Sequence, residues 1–196
     1  MRREVVLTGI GGQGIQLSAQ LMARSALASG LFVQVFGSYG GMMRGGNTEA
    51  TVVVSDEPVV APPTVERAWS GIVMHHDYSE ATLARLRPDS FVVVDSTVFE
   101  GELPQDLRRV SRVPATALAI EVGRKQVACT VLLGAFAAIT ELVPLESLVG
   151  ALPAALPAYR GKLTELNREA LEVGFRAGSD IARRDAVDGA SRVAVP

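Results

Sequence analysis

The stretch Gly9-Ile10-Gly11-Gly12-Gln13-Gly14 follows an apolar run, Val5-Val6-Leu7, and precedes a long helical pattern. Strand, glycine turn and helix in that order open an α/β unit, and Gly9, Gly11 and Gly14 match the spacing G-x-G-x-x-G. Each glycine has a physical use in this reading. Gly9 turns the chain tightly, Gly11 and Gly12 leave bare backbone open to a close approach, and Gly14 lets the helix pack against the strand. A helix starting here also points unpaired N–H groups outward, toward a phosphate, a carboxylate or a partner's carbonyl. The same spacing also serves a turn whose glycines matter only for packing.

A dinucleotide site makes one further demand. It needs an acid about 20 residues on, at the end of the second strand, to hold the ribose hydroxyls. Here the second strand reads Leu31 to Phe36 and runs into Gly37-Ser38-Tyr39-Gly40-Gly41 without an acid. An independent NAD- or flavin-binding oxidoreductase is therefore the lesser reading.

Between the two strands, Ile15 to Ser29 carries an apolar stripe (Ile15, Ala19, Met22, Ala26) and a polar ridge (Gln16, Gln20, Arg24), and Gly30 ends the helix. The second strand follows at once, which predicts a parallel crossover. From Gly37 to Asn47 the chain holds glycines, Tyr39, Met42, Met43 and Arg44, then enters a third strand over Thr48–Ser55. In an open α/β sheet ligands gather outside the carboxyl ends of strands, where this loop and the first glycine turn both belong. Two methionines and a tyrosine are costly to leave in water, so the loop is expected to touch another protein or a ligand. Arg44 offers a planar fork to a carboxylate or phosphate, or ties the loop to a neighbouring acid.

At 196 residues the chain suits one α/β domain. Its net charge of −2 and lack of a long basic run give no electrostatic case for nucleic acid. The single cysteine, Cys129, excludes an internal disulfide and a cysteine-ligated cluster held by this chain alone. The only histidines, His75 and His76, are too few for a histidine-rich metal site and read as loop or cap residues, not catalysts. No metal ligand set and no catalytic residue is assigned. The N-terminus lacks the features of a signal peptide and no apolar run is long enough to span a membrane, so the cytoplasm is expected.

Further on, strands are expected at Gly71–Met74, Phe91–Asp95 and Val110–Val113, and a helix at Ser79–Leu86 capped by Asp77 or Ser79. Pro62-Pro63 marks an extended connection. The apolar helix over Lys125–Thr140 is expected to be buried all round, in part by another subunit. A shorter helix covers Leu145–Leu156, and the last runs from Arg160 to Ala177, stopped by Gly178. The division is a single domain over residues 1–178 and a tail over 179–196, either loose or strapped over a partner.

Taken together, these residues resemble the gamma subunit of the 2-oxoacid:acceptor oxidoreductases, the family of pyruvate and 2-oxoglutarate ferredoxin oxidoreductases. The resemblance is carried by Gly9 to Gly14, Ser38-Tyr39-Gly40, Arg44-Gly45-Gly46, Ser55 to Val59, Pro114 to Gly123, Leu133-Gly134, and Asn167 with Gly174. It implies a Rossmann-like α/β fold, a mostly parallel sheet flanked by helices with further C-terminal helices. It further implies a larger enzyme in which a 2-oxoacid is decarboxylated on thiamine diphosphate with Mg2+, electrons leave through iron–sulfur clusters to ferredoxin or another acceptor, and the acyl group usually passes to coenzyme A. Those cofactors belong to thiamine-binding catalytic subunits and a cysteine-rich iron–sulfur subunit; none is expected on this chain alone. By this resemblance Gly11, Gly12, Gln13, Tyr39, Arg44, Gly45 and Gly46 lie toward the catalytic subunits and help enclose the thiamine or coenzyme A region. Gly41, Met42 and Met43 depart from the family, which commonly has proline and an acid after the Tyr-Gly pair. A non-catalytic scaffold subunit of the same fold is the other reading.

Overall fold

The computed structural model describes residues 1–39, 45–60, 65–156 and 161–193. The expected positions of Arg44, Pro62-Pro63, Arg160 and the last three residues lie outside them. Strand β1 (Arg2–Ile10) leads through the glycine turn into α1 (Ile15–Ala28), then β2 (Phe32–Tyr39) and β3 (Asn47–Ser55). Next come β4 (Ala68–Val73), the single turn α2 (Glu80–Leu83), β5 (Leu86–Asp95) and β6 (Arg109–Val113). The chain closes with α3 (Ala115–Val122), a 3-10 turn over Lys125–Val127, α4 (Ala128–Thr140), α5 (Leu145–Ala155) and α6 (Gly161–Val193).

The six strands form one mixed sheet in the order β2-β3-β1-β4-β5-β6. From β1 outward through β4, β5 and β6 every pairing is parallel, while β3 runs antiparallel to both β1 and β2. Only β3 is reversed, so the mostly parallel α/β architecture holds. The expected neighbour relation between β1 and β2 does not. The connection from β2 to β3 is too short for a crossover, so β3 folds back antiparallel. β3 is almost wholly buried and takes the inner place, and β2, half exposed with Gln34 and Ser38 along it, takes the edge.

Alternation along β1 sorts the core into two faces. Val5 and Leu7 point into the larger cluster with α1, α4 and α6, whereas Val6 joins Val53, Val73, Leu83, Val92 and Val94 on the opposite face. β5 begins at Leu86, not Phe91, and α2 is correspondingly short. The polar entry Arg87-Pro88-Asp89 hides this strand from a pattern of apolar residues. Its pairing with β4 shifts register between Ala68 and Ser70 of that strand, where the Ser90 hydroxyl donates to the Ala68 carbonyl at 2.8 Å.

The apolar α4 is buried over Ala128–Ala137 by its own chain, with α6 as its main neighbour. Asn167 of α6 is 3% exposed; its Oδ1 accepts from the Thr130 hydroxyl at 2.9 Å and its amide donates to the Leu163 carbonyl at 2.7 Å. Gly178 does not stop α6, which continues to Val193. A Cβ there would stand 2.7 Å from the Ala135 Cα, so the glycine serves close packing of α6 on α4. Cys129 lies on α4 toward Gly14 and Ser18 at the start of α1, fully buried, and burial pushes its thiol up to about 12. Native chain at pH 8 is expected to leave it unmodified by an aromatic disulfide reagent, with one thiol released on unfolding. Rapid labelling of the native chain would contradict the burial.

Candidate functional site

Carboxyl ends of the parallel strands and the start of β3 share one edge of the sheet, and the two glycine loops meet there. The Gly11 amide donates to the Gly46 carbonyl at 2.9 Å. A Cβ on Gly11 would lie 3.5 Å from the Gly45 nitrogen and 3.5 Å from Thr48 Oγ1. Sequence reasoning placed both loops at this edge; the structure joins Gly11 with Gly45 and Gly46 directly. Tyr39 closes β2 beside them, paired in register with Thr48.

Inside the turn, Gln13 is used inward. Its Oε1 accepts the Ile10 amide at 2.7 Å and its own amide donates to the Ile10 carbonyl at 3.1 Å. Gly9 does not turn the chain, contrary to expectation, because it lies within β1 opposite Thr48. A Cβ on it would meet Gln13 Oε1 at 2.5 Å and Met74 Cβ at 2.9 Å, so this glycine makes room for the Gln13 bond and for the neighbouring strand exit. Gly12 (φ 99°) and Gly14 (φ 88°) supply the left-handed backbone of the turn. Gly14 faces the Gln126 carbonyl and Cys129, not the strand.

One residue absent from the expected set holds the edge in place. Gln16 Nε2 donates to the Glu49 carbonyl at 2.9 Å, running under Gly37, whose missing Cβ would otherwise meet Gln16 Oε1. The signal was present as a glycine in the middle of a strand, which marks a close approach. On the opposite face the Glu49 carboxylate meets Arg85 at 2.5 Å and the Thr82 hydroxyl at 2.8 Å, anchoring α2 to β3. Asn47 Oδ1, at the mouth of the hairpin, is buried without a hydrogen-bond partner among the described residues.

The connection from β1 leads toward β2 and that from β4 leads toward β5, on opposite sides. Between β1 and β4 is therefore the topological switch point, the usual place for a ligand crevice. There the β4 exit lies against β1, with the Met74 amide donating to the Thr8 carbonyl at 2.9 Å, and His75 and His76 follow. Their rings stack at 4.3 Å. At the end of β5 the fully buried Asp95 holds the start of α3 through Thr116.

This geometry argues against a dinucleotide. The Gly11 amide is already spent on Gly46, and on the side of β1 toward β2, where a dinucleotide-binding unit places its ribose-holding acid, the neighbouring strand is the reversed β3, which presents its start and not its carboxyl end at this edge. What fold and edge define is a Rossmann-like α/β subunit that presents a glycine-rich hairpin of two joined loops.

Residues 4–177 match the family model described as pyruvate ferredoxin/flavodoxin oxidoreductase, and the chain belongs to this family as a gamma-type subunit. It is 34% identical over 189 residues to the 2-oxoglutarate synthase subunit KorC of Methanothermobacter marburgensis, covering 92% of this chain and 97% of that one. The gamma subunit of a keto/oxoacid ferredoxin oxidoreductase from Geobacter sulfurreducens PCA superposes with a TM-score of 0.78 at 29% identity, covering 91% of this chain and 97% of that one. The fold recurs in a 2-oxoglutarate:ferredoxin oxidoreductase from Magnetococcus marinus with 2-oxoglutarate, coenzyme A and succinyl-CoA bound. There the TM-score is 0.79 at 19% identity over 91% of this chain and 31% of that longer one.

No helix among the described residues is long and apolar enough to cross a membrane.

Proposed function

We propose that the hairpin edge formed by Gly11, Gly12, Gln13, Tyr39, Arg44, Gly45 and Gly46 packs toward the catalytic subunits of a cytoplasmic 2-oxoacid:acceptor oxidoreductase and helps enclose its thiamine or coenzyme A region. The observation that carries this reading is the Gly11–Gly46 bond, which makes one surface of two loops. Asn47 Oδ1 supports it as a buried acceptor left at that surface, and the coenzyme A bound in the Magnetococcus marinus enzyme supports the choice of ligand.

In such a complex thiamine diphosphate and Mg2+ on partner chains supply the decarboxylation, and iron–sulfur clusters carry two electrons to ferredoxin or another acceptor. This chain does not fit a cluster, since its one cysteine is buried with its thiol pushed up to about 12. Its part is to bind and to exclude water. Backbone groups of Gly12 and Gly45 accept a close approach because a Cβ at either position would meet nothing within 4 Å. Arg44 supplies a cationic fork for a carboxylate or phosphate. The end of α6 past Gly178 is the arm that straps a partner chain, in keeping with the exposure of Arg183 to Val187.

In the assembled complex, Arg44→Ala is expected to leave subunit composition intact and to raise KM for coenzyme A or the 2-oxoacid about tenfold, the size of one lost charge-assisted hydrogen bond. Steady-state kinetics with each substrate varied in turn measure it. Unchanged assembly together with unchanged constants would favour a scaffold role.

A further inference from the structure

At the switch point beside the glycine turn, His75, His76 and Asp77 bring three ligating atoms within 4.8 Å of one another. We infer that these three side chains form a site for one divalent transition-metal ion of the zinc type, separate from any metal held by partner subunits. The Asp77 carboxylate faces one nitrogen of each ring: His75 Nδ1 is 3.7 Å from Oδ2 and His76 Nε2 is 3.6 Å from Oδ1. Donors held at about 2.0–2.1 Å from a tetrahedral ion stand roughly 3.4 Å apart, close to both carboxylate–imidazole distances, and side-chain rotation within the 4.8 Å cluster closes the set. Two imidazoles and one carboxylate are a borderline donor set that suits zinc, nickel or copper and disfavours magnesium or calcium. With three protein ligands the fourth position stays open to water.

Further observations bear on the site. Stacking fixes the two rings relative to each other, and Phe99 meets His76 edge-on at 6.3 Å, so the donors are partly ordered before binding. His76 also lines a cleft of about 620 Å³ with Glu80 and Glu102, and no lysine or arginine lines it. Among the described residues no lysine or arginine pairs with Asp77, Glu80, Glu100 or Glu102, so local charge favours a cation. In the ion-free geometry each Nδ1 accepts a backbone N–H, from Asp77 at 3.1 Å for His75 and from Glu100 at 3.3 Å for His76. The second contact is long. Both open in the liganded tautomers, which carry the ring proton on His75 Nε2 and His76 Nδ1.

Sequence reasoning set these histidines aside because two are few. It did not see that Asp77, two residues past His75, turns its carboxylate toward both rings as a third donor.

The test is a calorimetric titration of the untagged full-length chain with Zn2+ alone, followed by Co2+ absorption spectroscopy. One ion per chain is expected, bound in the micromolar range, with a visible Co2+ band of tetrahedral type and no competition from millimolar Mg2+. His76→Ala and Asp77→Asn are each expected to weaken Zn2+ binding at least about tenfold, and Asp77→Asn, at an exposed side chain, is expected to do so with unchanged melting of the metal-free chain. Absence of saturable Zn2+ uptake would overturn the inference. Saturable uptake that survives both substitutions would overturn it equally, by placing the ion elsewhere.

Discussion

Gly174→Ala is expected to destabilise the chain by about 3 kcal/mol and to lower its melting temperature by roughly 6–12 °C. On propensity alone the change should help, because alanine is favoured over glycine inside a helix by about 1 kcal/mol. Packing reverses the sign. A Cβ on Gly174 would overlap the Val131 carbonyl oxygen and stand 2.7 Å from its carbon, so α6 could keep its place only by lifting off α4. Gly134 and Gly178 repeat the arrangement against Leu171 and Ala135, which makes the whole contact a backbone-to-backbone approach with little slack. Lifting α6 would also stretch the buried Thr130–Asn167 bond at 2.9 Å. Gly150→Ala in α5 is the matched control, since a Cβ there meets nothing within 4 Å. It is expected to stabilise by about 0.5–1 kcal/mol. Thermal melts of the two variants beside the parent decide the matter: if Gly174→Ala melts as high as Gly150→Ala, the helices are not in contact as described.

The same glycines show where the sequence was legible and where it was not. Apolar period and the bounding glycines and prolines place α1, α4 and α5 to within a few residues, because local pattern determines those elements. Gly178 was read as a stop, the ordinary meaning of a glycine near a helix end. Its actual use depends on Ala135, 43 positions earlier in the chain, and no local pattern carries that information. Strand order failed for a related reason. The order in which β1, β2 and β3 occur says nothing about which lies in the middle, and it is the greater burial of β3 that decides. Polar Arg87-Pro88-Asp89 hid the first half of β5 because its pairing runs through a bulge, not an alternating ladder.

At the candidate site the glycine motif pointed to the sheet edge where the two loops meet, but the roles read for its parts differ from those in the structure. Gly9 and Gln13 form an internal support, with Gln13 bonded to Ile10, and Gly11 is bonded to the second loop. What the hairpin offers outward is therefore the backbone around Gly12 and Gly45, where a Cβ would meet nothing within 4 Å. Gln16 was read only as part of a polar ridge and Asp95 only as the end of a strand, since each is an ordinary polar residue in sequence. They matter through partners 33 and 21 positions away.

Asp95→Ala is expected to cost about 3 kcal/mol, measured as the shift of the urea midpoint of the isolated chain. Asp95 is fully buried at the end of β5, and its carboxylate accepts three bonds: the Thr97 amide at 3.1 Å, the Thr116 amide at 3.2 Å and the Thr116 hydroxyl at 2.5 Å. No side chain of α3's own N-terminal residue caps that helix, so Asp95 does so from the neighbouring strand, where its charge also meets the helix dipole favourably. Truncation leaves Thr97 exposed to water but strands both donors of Thr116, a residue only 4% exposed, at about 1–3 kcal/mol each before relaxation. Thr116→Val should cost less, about 1 kcal/mol, because the Asp95 carboxylate keeps its two amide partners. The double variant should then be more stable than the sum of the single losses implies, with a coupling of at least about 1 kcal/mol. Strict additivity would mean that Asp95 and Thr116 do not hold each other. The isolated chain is the right material for this cycle, because subunits that bind only the folded form would add stability by mass action and hide part of the loss. Within the complex the same substitution should act on the loop after β5, whose Phe99 amide bonds the Asp95 carbonyl at 3.0 Å and whose ring meets His76, and so loosen the edge that the glycine hairpin shares.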